Sequence, residues 1–194
     1  MANWASTAYA VEGPKGTLLK IEDAILHPIL QEDDGEGWEG GILKALGIEW
    51  ESKKPDGTGL YMRGFINESP ELCEDGTLRF GAEEAWGATD FNVALEGAFP
   101  DIKVYYCVEE PDEEIYATND KEGKYFPYRF YVDTCIDGNY AMDEFKYKSD
   151  VFKWLYKITN GRINTEKKVE KFNDDADEEC SDDFIHIYEY EIVD

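Results

Sequence analysis

The sequence predicts an α+β fold: a β-α-β-β-α-β core over about residues 3–110, an extension over 111–194, and a single domain throughout. Three observations lead there. Apolar residues recur at helical spacing, others alternate at strand spacing, and turn chemistry separates the runs. With 194 residues, 42% apolar and 14% aromatic, the chain can bury a core without disulfides or metal.

Residues 4–12, rich in Thr, Tyr and Val, read as the first strand, broken by Pro14 and Gly16. Leu18, Ile21, Ile25 and Ile29 then recur near the helical period and predict a helix over 17–30. QEDDGEGWEGG reads as a long exposed loop, GILKALGIEW as holding a short helical turn, and KKPDGTG as a second loop. Residues 59–66 alternate Leu60, Met62, Gly64 and Ile66 against Tyr61, Arg63 and Phe65, and residues 77–83 set Leu78, Phe80 and Ala82 on one face. Asp75-Gly76 is the turn expected to join these two strands. A second helix is expected at 89–99, with Thr89 or Asp90 as N-cap and Pro100 as its stop.

IKVYYCVE, 102–109, places Ile102, Val104, Tyr106 and Val108 on one face and is the clearest strand. It completes a ferredoxin-like order, in which four antiparallel strands carry both helices on one face. IYATND and YFPYRFYVD read as strands that extend this antiparallel sheet to about residue 140, joined through 119–123. Ser149 is placed to cap a helix over DVFKWLYKIT, which Asn160-Gly161 ends. A short helix at 165–172, an acidic loop at 173–183 and a last strand, FIHIYEYEIV, close the chain. The C-terminal helix and strand are expected to pack on the same sheet, since a piece of about 45 residues would struggle to hold its own core.

Asn3-Trp4-Ala5-Ser6 is similar to the Asn-Trp-Cys-Ser opening of the YubB-like proteins of bacterial plasmids and phages. Glu84-Ala85-Trp86 is similar to their Thr-Ala-Trp, also followed by a helix, and FPDIKVYY resembles the strand after that helix. The resemblance spans residues 3 to about 110, with Ala5 in place of the cysteine and Gly87-Ala88 where the family commonly has prolines. It implies a ferredoxin-like domain, a mobile-element origin and an uncharacterised role. It carries over no catalytic residue and no cofactor.

Forty-four acidic residues against 19 basic ones give a net charge of −25. Phosphate backbones are repelled, so direct nucleic-acid binding is not expected, and a basic protein partner suits the charge better. Cys73, Cys107, Cys135 and Cys180 are widely spaced and form no CxxC pair. With no basic, apolar leader and no run near the roughly 20 apolar residues of a membrane span, the expectation is a cytoplasmic protein with reduced thiols and no membrane contact.

Glu83, Glu84, Trp86 and Asp90 form the one carboxylate–aromatic cluster that suggests acid–base chemistry with a sugar platform, and so a small hydrolase or carbohydrate-binding domain. Successive strand residues face opposite ways, so Glu83 and Glu84 do not converge while the strand continues. Trp86 then covers the end of the core and Asp90 caps the helix, which makes the stretch a strand turning into a helix.

The acidic runs Glu109, Glu110, Asp112, Glu113, Glu114 and Asp174, Asp175, Asp177, Glu178, Glu179 are the candidate interaction surface. The first reads as a hairpin tip. The second fails as a calcium loop because Cys180 holds the glycine position and His186 the position of the bidentate glutamate. His186 alternates with Phe184, Tyr188 and Tyr190 and reads as a packed histidine, while His27 suits the end of the first helix. No phosphate-binding loop or nucleophile motif is present. The residues thus favour a cofactor-free, non-enzymatic acidic protein-binding module over an enzyme, with mimicry of nucleic acid as one use for its charge.

Overall fold

A computed structural model of the chain describes residues 3–29, 37–54 and 56–193. In chain order its elements are β1 (Trp4–Glu12), α1 (Lys15–Leu26), α2 (Glu39–Ala45), β2 (Gly64–Ile66), β3 (Glu71–Leu72), β4 (Leu78–Ala85), α3 (Phe91–Ala98) and β5 (Lys103–Glu110). A short 3-10 turn, Pro111–Glu113, leads to β6 (Ile115–Thr118), β7 (Phe130–Ile136), β8 (Asn139–Phe145), α4 (Lys148–Ile158), α5 (Glu166–Glu178), β9 (Phe184–Glu189) and β10 (Glu191–Ile192). The protein is α+β, with five helices, a seven-stranded mixed sheet and a three-stranded antiparallel sheet among the described residues. No helix in that part of the chain is long and apolar enough to cross a membrane. The chain forms two compact units, one of residues 1–121 with 192–194 and one of residues 122–191.

In the first unit the strands run in the order β10-β6-β5-β1-β4-β2, with β3 also on β4. β1 lies at the centre, antiparallel to both β4 and β5. Its alternation buries Ala5, Thr7, Tyr9 and Val11, and Tyr9 and Val11 join Leu78, Phe80 and Ala82 of β4 and Val104 of β5 in the core. Leu18, Ile21 and Ile25 of α1, Ile42 and Leu43 of α2, and Phe91 and Leu95 of α3 complete that cluster. Three rings fix its centre: Tyr9 stacks on Phe80 at 4.9 Å, and Phe91 stands edge-on to both.

The second unit is the sheet β8-β7-β9 with α4 and α5 on one face. Phe130, Val132 and Ile136 of β7 and Ile185 of β9 pack against Val151, Leu155 and Val169 of the helices. The Asn173 side chain ties α5 to β9 by accepting from Ile185 N and donating to Ile185 O, both at 2.9 Å.

Several sequence expectations need correction. β7 does not extend the first sheet; it is the middle strand of the second, and α4, α5 and β9 pack with it. Asn139–Phe145, unassigned from sequence, is the edge strand β8, because its exposed side chains hide the strand alternation. Asp75-Gly76 turns β3 into β4, not the 59–66 run into β4; of that run only Gly64–Ile66 pairs as strand. Ser149 lies inside α4, with Tyr147 at the N-cap position. The acidic stretch from Asn173 to Glu178 is helix, not loop, so α5 runs well past the residue 172 expected. Of the loop expected at 31–41, residues 31–36 lie outside the described residues, as does the last residue of the helix expected at 17–30.

Candidate functional site

β4 delivers Glu83 and Glu84 to opposite faces, as strand geometry requires. Glu83 is exposed, across from Ser6 and Phe65. Glu84 points into the core with no solvent exposure, across from Ala5 and Gly64. The second carboxyl of the site is not Glu83 but Glu39, the first residue of α2, also wholly buried.

The two acids meet at Thr89. Its hydroxyl lies 2.7 Å from Glu84 Oε1, and 2.9 Å and 3.1 Å from Glu39 Oε2 and Oε1. Glu84 Oε1 also accepts from the Tyr9 hydroxyl at 2.7 Å and from Thr89 N at 3.1 Å. A hydroxyl has one proton to give, so Thr89 cannot donate to both carboxyls. A proton on Glu39 supplies the missing donor. Burial, then the Glu84 charge, hold the Glu39 carboxyl well above the usual carboxylate range, and a hydrogen bond with Glu84 acts the same way. Tyr9 is likewise pushed well above its usual value, by burial and then by the Glu84 and Glu39 charges. Glu84 Oε2 is buried with no hydrogen-bond partner among the described residues.

Local sequence builds this pocket of acids. Gly64 has no side chain, and a Cβ there would stand 2.5 Å from Glu39 Oε1. Gly40 likewise leaves room for Trp38 and Trp50, each of which would lie 2.7 Å from an added Cβ. Small residues thus let α2 press Glu39 into the sheet. That signal lay in Trp38-Glu39-Gly40-Gly41, which hydropathy alone reads as loop.

Trp86 does not cover the core. It is 50% exposed, at φ 58, with the Arg63 guanidinium 4.8 Å over its ring. Trp86 N donates to Asn3 O as the chain leaves β4 for α3. Asp90 precedes α3 but makes no side-chain cap; its Oδ2 accepts from Tyr61 N at 2.7 Å and its own N–H donates to Tyr61 O at 2.8 Å. Glu83 and Trp86 thus reach solvent, Glu84 is sealed in the core and Asp90 is taken up by the Tyr61 backbone, so Glu83 and Glu84 do not converge.

The acidic runs fall in different units. Asp112, Glu113 and Glu114 are exposed on the β5–β6 hairpin tip. Glu109 is half-buried in β5, and Glu110 is buried, its side chain accepting from Glu113 N to cap the 3-10 turn. Asp174, Asp175, Asp177, Glu178 and Glu179 are exposed on and just past the C-terminal half of α5. No group of His, Cys, Asp and Glu among the described residues is disposed to hold a metal ion.

Chemically, a buried carboxyl pair can share and move a proton, but both members are shielded from solvent. Three clefts, of about 250, 420 and 430 Å³, are lined by other residues. The first holds the Lys148–Glu166 ion pair beside Phe130, and the second opens between Ile25, Phe65 and Glu68. No protein-family model matches the chain, and comparison with curated proteins and with solved structures finds no significant match.

Proposed function

We propose that the protein is a non-enzymatic, acidic protein-binding module on a ferredoxin-like core, of the kind carried by YubB-like plasmid and phage proteins. The observation that carries the reading is how the acids divide. The carboxyls that converge, Glu39 and Glu84, are sealed and engaged by Tyr9 and Thr89. Those that reach solvent, Asp112, Glu113 and Glu114 in one unit and Asp174, Asp175, Asp177, Glu178 and Glu179 in the other, form no catalytic set among the described residues. Support for the ferredoxin-like core is the strand order β5-β1-β4-β2, antiparallel at each pair, with α1 and α3 contributing to one cluster.

Capture from a plasmid- or phage-bearing host lysate, read by mass spectrometry, tests this. The expected result is a basic protein whose binding weakens steeply between low and high salt. Binding indifferent to salt, or hydrolysis of a sugar substrate lost in Glu84→Gln, overturns it. If the captured protein binds DNA, competition with duplex DNA marks the acidic surface as a nucleic-acid mimic.

A further inference from the structure

The open face of the second unit's sheet has a composition of its own. Not one residue of β7, β8 or β9 is a lysine or arginine. Register lays the side chains that face away from α4 and α5 in rows: Tyr140, Cys135 and Phe184 abreast, then Met142, Asp133 and His186. Tyr140 is 74% and Met142 66% exposed, which is unusual for such large apolar groups on a strand. His186, expected from sequence to be packed, is exposed, with Phe184 stacked on it at 4.6 Å and Tyr140 edge-on to Phe184 at 6.4 Å.

Two carboxylates, Asp133 and Asp182, lie close enough to act on the Tyr140 hydroxyl through their charge, and neither has an ion pair among the described residues. β8 ends its sheet, so one side of its main chain has no strand partner among the described residues; Asp143 and Glu144 on it are exposed, and Glu144 N donates to Asp143 Oδ1 at 2.9 Å.

We propose that this face, with the free edge of β8, docks an extended, arginine-bearing segment of a protein partner. The segment pairs main chain to main chain along β8, and a guanidinium lies against Tyr140 and Phe184 with Asp133 as its counter-ion. Charge selects this occupant. A second copy of a chain of net charge −25 would set Asp143 and Glu144 against their own kind, and a phosphate backbone would be repelled as well. Arginine fits better than lysine because its planar group can stack on rings and bridge a carboxylate with two N–H donors. The inference rests on the protein-binding reading and gives that reading a surface and a partner chemistry.

The test is titration of the full chain with a short peptide alternating arginine and threonine, and with its lysine and glutamate versions. The arginine peptide should bind, the lysine version about tenfold more weakly, and the glutamate version not at all. Asp133→Asn, which keeps the side-chain shape, should weaken binding about tenfold, and Tyr140→Ser about threefold. Asp101→Asn, exposed between α3 and β5, should leave it unchanged. Amide exchange over 139–145 should slow in the complex. Equal losses from Asp133→Asn and Asp101→Asn, with no slowing over 139–145, overturn the site but leave an acidic binding protein. Failure of every peptide to bind while a lysate protein is captured overturns the arginine-bearing occupant, and capture of nothing overturns the protein-binding reading itself.

Discussion

The two units solve the same packing problem with opposite chemistry. The second unit fills its helix–sheet interface with Phe130, Val132, Ile136, Val151, Leu155 and Ile185, and its buried Thr159 hydroxyl is satisfied at the C-terminal end of α4, donating to Leu155 O and accepting from Ile163 N. The first unit puts two carboxyls and a phenol into an interface of similar design. An apolar core is indifferent to pH, whereas a buried acid pair ties stability to one proton. The first unit also gains directionality: Thr89 before α3, Glu39 on α2 and Glu84 on β4 must arrive together, which fixes where α2 sits.

The largest expected effect tests this division directly. Glu84→Ala leaves Tyr9, Thr89 and Glu39 without their shared acceptor and opens a cavity, at a cost of about 3–5 kcal/mol. Hydrogen exchange should accelerate across β1 and β4 and remain unchanged in β7. Leu155→Ala, costing about 2–5 kcal/mol, should do the reverse. Loss of protection in both units from either change would mean that the two cores do not act separately.

Next in size is the pH dependence. Glu39 has a folded pKa raised above its unfolded value, so the native state holds a proton that the unfolded chain has released. Its contribution is fully present below the ordinary carboxylate range and is lost as pH rises from there through the raised folded value. The slope is about 1.4 kcal/mol per pH unit within that window. Urea titrations followed by exchange in β1 should show this slope in the parent chain. Glu39→Gln should flatten it, and the exchange of β7 should show none of it.

Gly64→Ala sharpens the comparison at the level of packing. The new methyl would meet a carboxyl that its hydrogen bonds prevent from yielding, so a loss of about 1–3 kcal/mol is expected from thermal melts. Combined with Glu39→Ala, most of that loss should disappear. Smallest is Arg63→Met, which removes the cation from Trp86 and should cost less than about 1 kcal/mol while altering tryptophan fluorescence.

Much of the first unit was readable because its signals are local. The alternation of residues 4–12, 78–85 and 103–110 and the helical spacing after Pro14 and Asp90 are short-range patterns that burial on one face imposes. The opposite facing of Glu83 and Glu84 followed from the same rule. Three things were not readable, each for a physical reason. β8 carries Tyr140 and Met142 outward and sets only Phe145 against the core, so its pattern gives little sign of one. The acidic half of α5 reads as loop because its helix is held by tertiary contacts at Val169 and Ala176, against the unfavourable charge at its C-terminal end. Glu39 lies 45 residues before Glu84 in sequence, and nothing local says that an acid beside two glycines will be buried.

The α+β class, the central strands, the acidic character and the separation of Glu83 from Glu84 are legible in the residues alone. These depend on side-chain period and on charge, which each residue carries wherever it goes. That β7 is the middle strand of a second sheet, that Glu39 is the partner of Glu84, and that Tyr140, Asp133 and Phe184 share one face emerge from the folded chain. Each of those depends on which distant segments meet, and pairing between strands is set by the packing of whole faces, a property that no single stretch of chain possesses.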